Sequence, residues 1–172
     1  MDKKLHLVVA TAIIARKRPA LKDNHSGETE YLILKRAPHE KAYPNRWTVP
    51  GGKLKKEEYI DTPKTTKDAW YYALDKSLRR EIREEANLEV GDLRYLLDLV
   101  FIRPDDIPVV TLSFWGEYKS GKTELSEDHT DYFWGTVEEL KDYDLIEGIY
   151  DEIRMVDNLI DEKTINDGIE GI

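Results

Sequence analysis

The stretch "LRREIREEANLEV", residues 78–90, constrains this chain more than any other. Leu74, Leu78, Ile82 and Ala86 recur every fourth residue and define a core-facing helical stripe. Thr65 or Thr66, with Asp68 nearby, supplies an N-terminal cap, so the pattern predicts a helix over about 68–86. At 3.6 residues per turn, Glu81, Glu84 and Glu85 stand at i, i+3 and i+4, inside an arc of about 100°. Like charges four apart on a helix repel by a few tenths of a kcal/mol. Yet Glu81 faces Glu85 and Arg79 faces Arg83, and within 79–85 only Arg80 and Glu84 make an opposite pair. A charge run is ordinarily a solvated face laced with alternating salt bridges. A hard divalent cation removes the conflict, because magnesium takes oxygens from one or two carboxylates plus substrate phosphates. From the helix alone, solvated face and metal site both stay open.

The flanking sequence interleaves strands with helices. Residues 5–15 form a near-continuous β-branched run, as expected of a strand buried on both faces. Lys3 and Lys4 ahead of it imitate a signal peptide, but "RKRP" follows at once, and eleven mostly apolar residues are too few to span a bilayer as a helix. "EYLILKR" (30–36) reads as a second strand after a polar turn region, and "RWTVP" as a short third one before Gly51 and Gly52. Residues 93–103 and 109–119 read as two strands joined by "RPDDIP", and "DYFWG" as another. Thr136 and Glu139 have capping-box spacing, and Ile149, Ile153, Val156 and Ile160 form a helical stripe. The tail, 163–172, has no period and is expected to fray.

At 172 residues and 40% hydrophobic composition, the chain predicts one domain, 1–172, with a full core. Its net charge of -9 disfavours nucleic acid and acidic membranes, so a polyphosphate substrate needs a cation as mediator. The absence of cysteine excludes thiolate metal sites and cysteine nucleophiles.

Upstream of the helix, "WTVPGGKLKKEE" sets a double glycine directly after a strand, where backbone approaches a ligand closely. Joined to "RREIREEANL", it resembles the Nudix hydrolase signature of the MutT-like proteins. In that signature a glycine and then a glutamate lead into Arg-Glu-hydrophobic-any-Glu-Glu-any-Gly-hydrophobic. Gly52, Glu58, Arg80, Glu81, Ile82, Glu84, Glu85 and Leu88 match it. Asn87 replaces the last glycine, and asparagine is the usual substitute where a left-handed residue ends a helix. Between Glu58 and Arg80 stand twenty-one residues where the family has seven, so the box, 52–88, is enlarged by an insertion at about 59–72. The 80–88 half carries over directly, and Glu58 is left outside the expected site. The inserted segment reads as a mobile surface loop followed by added helical turns, with Trp70, Tyr71 and Tyr72 packing locally or shaping entry beside the site.

The resemblance implies an α/β fold, the Nudix-type α/β/α sandwich with a mixed β-sheet. It implies metal-dependent hydrolysis of a pyrophosphate bond in a nucleoside diphosphate linked to another group, such as a nucleotide or sugar nucleotide, with Mg2+ or Mn2+. By the same resemblance, Glu84 and Glu85 are metal ligands, Glu81 is a ligand or general base, Gly52 lends its carbonyl, and Arg80 orients the glutamates. Glu124, Glu127 and Asp128, on a later loop, compete with Glu81 for the role of base, and His129 shares their ambiguity. Arg36, Arg46 and Lys53 are candidates for holding phosphates, and Trp47 reads as core. The expected partner is a small-molecule nucleoside diphosphate derivative, with no nucleic acid polymer and no membrane, in a cytoplasmic protein that is monomeric or a homodimer. The alternative reading is a non-catalytic Nudix-like nucleotide-binding module, since fold and function part company easily; an isomerase of diphosphate esters is a smaller alternative.

Overall fold

Strand β1, Leu7–Lys17, carries the apolar run detected in the sequence, with Ala12, Ile13, Ile14 and Ala15 all buried. The computed structural model describes residues 5–19 and 27–169, with side chains up to 162. The chain groups into two compact units, one formed by Met1–Ala12 and Pro50–Ser126, the other by Ile13–Val49 and Glu127–Ile172.

In the first unit, the N-terminal half of β1 pairs antiparallel with β4 (Gly51–Lys53), with Val9, Ala10 and Thr11 opposite Lys53, Gly52 and Gly51. A single 3-10 turn, Lys56–Glu58, follows, and then an irregular segment reaches helix α1, Ala73–Ala86. Leu78, Ile82 and Ala86 are buried as their spacing predicted. The helix ends at Asn87, which is left-handed with φ 55° and donates its backbone N–H to the Arg83 carbonyl. Strands β5 (Leu88–Val90), β6 (Arg94–Ile102) and β7 (Pro108–Gly121) complete the unit, β6 and β7 as a long antiparallel hairpin.

In the second unit, β2 (Thr29–Arg36) lies between the rest of β1 and β8 (His129–Gly135), antiparallel to both. Tyr31 to Leu34 are fully buried. The short strand β3 (Trp47–Thr48) pairs with β2, and Trp47 also makes a parallel bridge to Leu145. The Thr136 and Glu139 capping box is present, opening α2, Val137–Leu140. Helix α3, Ile149–Ile169, buries Ile149, Ile153 and Val156. Its Asp157 accepts a 2.7 Å hydrogen bond from the Tyr31 hydroxyl.

Two expectations are corrected. Helix α1 begins at Ala73, not near 68, and the insertion adds no helical turns to it. Thr65 and Thr66 cap a loop turn instead: Thr66 Oγ1 accepts from the Ala69 N–H and Thr65 Oγ1 from the Tyr71 N–H. The chain then reverses through a left-handed Tyr72, φ 60°, directly before the helix. The backbone of the C-terminal segment is helical through Ile169, and residues 170–172 lie outside the described ones.

Candidate active site

Gly51 and Gly52 both lie in close quarters, against different neighbours. A Cβ on Gly51 would overlap the Ala10 carbonyl and come within 2.8 Å of the Thr11 Cα, so strand pairing forbids it. A Cβ on Gly52 would overlap the carboxylate of Glu81. The Glu81 side chain thus lies directly against the backbone of β4, and a side chain at 52 would have to displace that carboxylate. Glu85, one turn further along, accepts a 2.9 Å hydrogen bond from the Gly51 N–H.

Arg80 organises the remaining carboxylates. Its Nη2 donates to Glu58 Oε1 and to Glu81 Oε1, each at 2.6 Å, and its Nη1 donates to Glu84 Oε2 at 2.5 Å. Burial alone would pull the guanidinium down, but the hydrogen bond to Glu81 and the charges of Glu81, Glu58 and Glu84 outweigh it and hold its pKa above the ordinary value. Of the three glutamates on the helix face, Glu81 and Glu84 are paired with Arg80, which also gathers Glu58 from outside the helix, while Glu85 is held by the Gly51 amide; Glu58 and Glu81 are largely withdrawn from solvent at 17% and 13% side-chain exposure. Glu84 stays outside at 57%. Arg79, which was expected to face only Arg83, is also paired, with Asp75 at 2.6 Å one turn before it.

Glu58 is the site residue that spacing arguments set aside. Its position is unaffected by the long insertion, and the glycine-to-glutamate spacing at 52 and 58 was the available signal. Of the other candidates, Glu124 stands near the C-terminal end of α1, its N–H donating to the Ala86 carbonyl at 3.2 Å. Lys53 ends β4 next to Gly52, with no ion pair among the described residues. Arg36 and Arg46 belong to the second unit and are engaged there. Arg36 binds the Ala42 carbonyl at 2.7 Å and the Glu40 carboxylate, and Arg46 binds the Leu145 carbonyl and Asp144. Trp47 packs edge-on against Tyr143 at 4.9 Å and is half-buried rather than part of the core. Asp128 lies with His39 and Glu40 in a group of ligand atoms within 4.8 Å of one another, a juxtaposition the sequence did not suggest. His129 is 5% exposed, both ring nitrogens lack hydrogen-bond partners among the described residues, and burial pushes its pKa down to about 4.

The site suits a hard divalent cation. Its donors are all oxygens, as magnesium requires. Glu58 Oε2 is buried without a hydrogen-bond partner among the described residues, an orphaned acceptor that otherwise carries a desolvation cost. Glu81, Glu84 and Glu85 do not converge within 4.8 Å among the described residues. Arg80 holds the first two on separate nitrogens, and the Gly51 amide holds the third.

Comparison with known proteins identifies the family and the fold. A family model described as the NUDIX domain matches residues 19–155. The chain is 29% identical to nucleoside triphosphatase NudI of Klebsiella pneumoniae strain 342 over 129 residues, 69% of this chain and 81% of the relative. Among solved structures, a MutT protein from Methanosarcina mazei Go1 superposes with a TM-score of 0.61 at 22% identity, covering 89% of this chain and 94% of its own. A C. elegans Ap4A hydrolase binary complex gives 0.62 at 19% identity, with 91% and 98% covered. The NUDIX domain of Shewanella oneidensis NrtR, complexed with ADP ribose, gives 0.66 at 13%, with 91% and 90% covered. These likenesses show the expected α/β sandwich with a mixed sheet.

Proposed function

The chain belongs to the Nudix hydrolase superfamily, and on that premise we propose that it hydrolyses a pyrophosphate bond of a nucleoside diphosphate linked to another group, with magnesium or manganese, in the cytoplasm. The observation that carries the reading is the Arg80 hub, which gathers Glu58, Glu81 and Glu84 beside a glycine whose missing side chain the Glu81 carboxylate replaces.

In this reading Glu84 and Glu85, with the Gly52 carbonyl, would hold the cation, and Glu81 would serve as a further ligand or as the base. When bound, the cation offsets phosphate charge and lowers the pKa of the attacking water. Arg80 acts as a positioning residue: it fixes the glutamates and limits their mutual repulsion before substrate arrives. Lys53, next to Gly52 and free of ion pairs among the described residues, contacts the phosphates. The proton of the attacking water passes to Glu81 or to Glu124, whose backbone is anchored at the end of α1. The names of the relatives, a nucleoside triphosphatase and an Ap4A hydrolase, support nucleotides as the substrate class.

The test is a turnover screen of nucleoside triphosphates, sugar nucleotides, dinucleoside polyphosphates and prenyl diphosphates. Magnesium-dependent release of a phosphorylated product from the nucleotides, abolished by chelation, is the expected result. Tight nucleotide binding with no turnover of any compound would favour a binding module instead.

A further inference from the structure

The insertion into the box builds a cavity. About 350 Å3 of space opens between residues 58–71 and the first two turns of α1, bordered by Tyr59, Trp70 and Tyr71 on the loop side and by Lys76, Arg80 and Glu58 on the other. That is roughly ten times a water molecule's share of liquid volume and falls at the lower end of the size class of small-molecule sites, roughly 300–1,000 Å3. Glu58 and Arg80 belong both to this cavity and to the carboxylate hub, so the two are contiguous.

The walls have a definite chemistry. Trp70 is fixed by a 2.9 Å hydrogen bond from its indole N–H to the Thr62 carbonyl and by the Tyr59 ring, whose centroid is 5.3 Å away at 59°. Tyr71 stands at the mouth, 57% exposed. Lys76 lies one turn before Arg80 and has no ion pair among the described residues, whereas Arg80 is surrounded by carboxylates. An aromatic wall, with the Lys64 ammonium 5.1 Å from the Trp70 ring centroid and the Lys76 ammonium beside it, suits a planar heterocycle joined to a phosphate, the base taking the place of Lys64 over the ring.

We propose that the inserted segment 59–72 forms the subsite for an aromatic base carried by the substrate, stacked at Trp70 and Tyr71, with Lys76 facing its phosphate. This rests on the proposed hydrolase reading only for the word substrate, because occupancy of the cavity is measurable without turnover. The residues that enlarge the box are thereby its specificity-determining residues.

The experiment is an NMR titration of the full-length parent protein. The chain has 4 tryptophans, and the indole N–H resonance that disappears in Trp70→Phe identifies Trp70. Adenosine and uridine 5′-monophosphates, titrated to millimolar concentration, should shift that resonance, and inorganic phosphate should not. In kinetics, Trp70→Ala and Tyr71→Ala should each raise KM for a nucleoside triphosphate about five- to a hundredfold, the range one base-stacking contact supports. KM for base-free tripolyphosphate should rise far less. A Trp70 resonance unmoved by the nucleotides, or equal KM changes on both substrates, overturns the subsite. Turnover with an unmoved resonance overturns the subsite and spares the hydrolase reading. A shifted resonance in a protein that hydrolyses nothing supports the subsite and removes the hydrolase reading.

Discussion

Replacing Arg80 with alanine isolates the feature on which the site depends. The substitution removes two 2.6 Å charge-assisted hydrogen bonds, to Glu58 and Glu81, and leaves those carboxylates facing each other at 17% and 13% exposure. Removing one partner of a fully buried pair costs about 3–5 kcal/mol. Arg80 keeps 30% of its side chain in solvent, which screens part of that. The bond to Glu84 lies at the surface and adds only about 0.3–0.5 kcal/mol. The net expectation is a loss of about 2–4 kcal/mol without metal. At roughly 2–4 °C per kcal/mol for a chain of this size, the melting temperature should fall by roughly 5–15 °C. Magnesium should restore more of the loss in the variant than it adds to the parent, since the cation then replaces the guanidinium's charge. Adding Glu58→Gln to Arg80→Ala should recover stability by removing one of the two opposed charges, a coupling that a double-mutant cycle reads directly. Thermal melts with and without magnesium are the assay. A loss under about 1 kcal/mol in metal-free buffer would mean the three carboxylates are screened independently by water, and the hub reasoning would fail.

Three further outcomes follow from particular contacts. Gly52→Ala should displace the Glu81 carboxylate and lower turnover at least about tenfold with a small change in melting temperature, whereas Gly51→Ala, which meets backbone at Ala10 and Thr11, should act on stability first. The comparison of melts and rates for the two variants decides it. His129 is neutral in the folded state, its pKa lowered to about 4, and charges in the unfolded chain near 6.5. Its depressed value means that stability is highest above pH 6.5 and falls as pH drops towards 4, by about 3 kcal/mol at most. Urea melts at several pH values should show a shallower acid slope in His129→Leu than in the parent, and identical slopes would refute the assignment. Glu124→Gln should lower kcat at least about tenfold if it takes the proton and leave it within about twofold if Glu81 does, as pH–rate profiles of both variants would show.

Most strands, the core stripe of α1 and the Thr136 capping box were legible because each depends on residues close in sequence. The β-branched run of β1 and the fourfold spacing of Leu78, Ile82 and Ala86 state their own burial, while Leu74, at the start of the stripe, is only half-buried. The start of α1 was not legible, because Thr65 and Thr66 make equally good caps for a loop turn, and nothing marks Tyr72 as left-handed. Glu58 was discounted for its sequence distance from Arg80. Loop-closure cost grows only slowly with length, so fourteen extra residues between fixed ends leave those ends together. The partners of Arg36 and Arg46 differ in kind: Arg36 is held by its near neighbours Glu40 and Ala42, whereas the Leu145 carbonyl that Arg46 binds is brought to it only by tertiary folding. The helical backbone of 163–169 extends α3 without an apolar period, consistent with the low cost of propagating a helix already nucleated.

The most direct test of the account is magnesium-dependent nucleotide hydrolysis by the parent and by Glu85→Gln. Glutamine keeps the shape and an acceptor for the Gly51 N–H but removes one charge from the proposed metal site. The variant should fold as well as the parent without metal, or slightly better. It should bind magnesium more weakly and lose at least about a hundredfold in turnover, the scale on which removed electrostatic stabilisation is measured. Parental turnover with an unchanged magnesium response would make the glutamate face of α1 a solvated surface and contradict the mechanism.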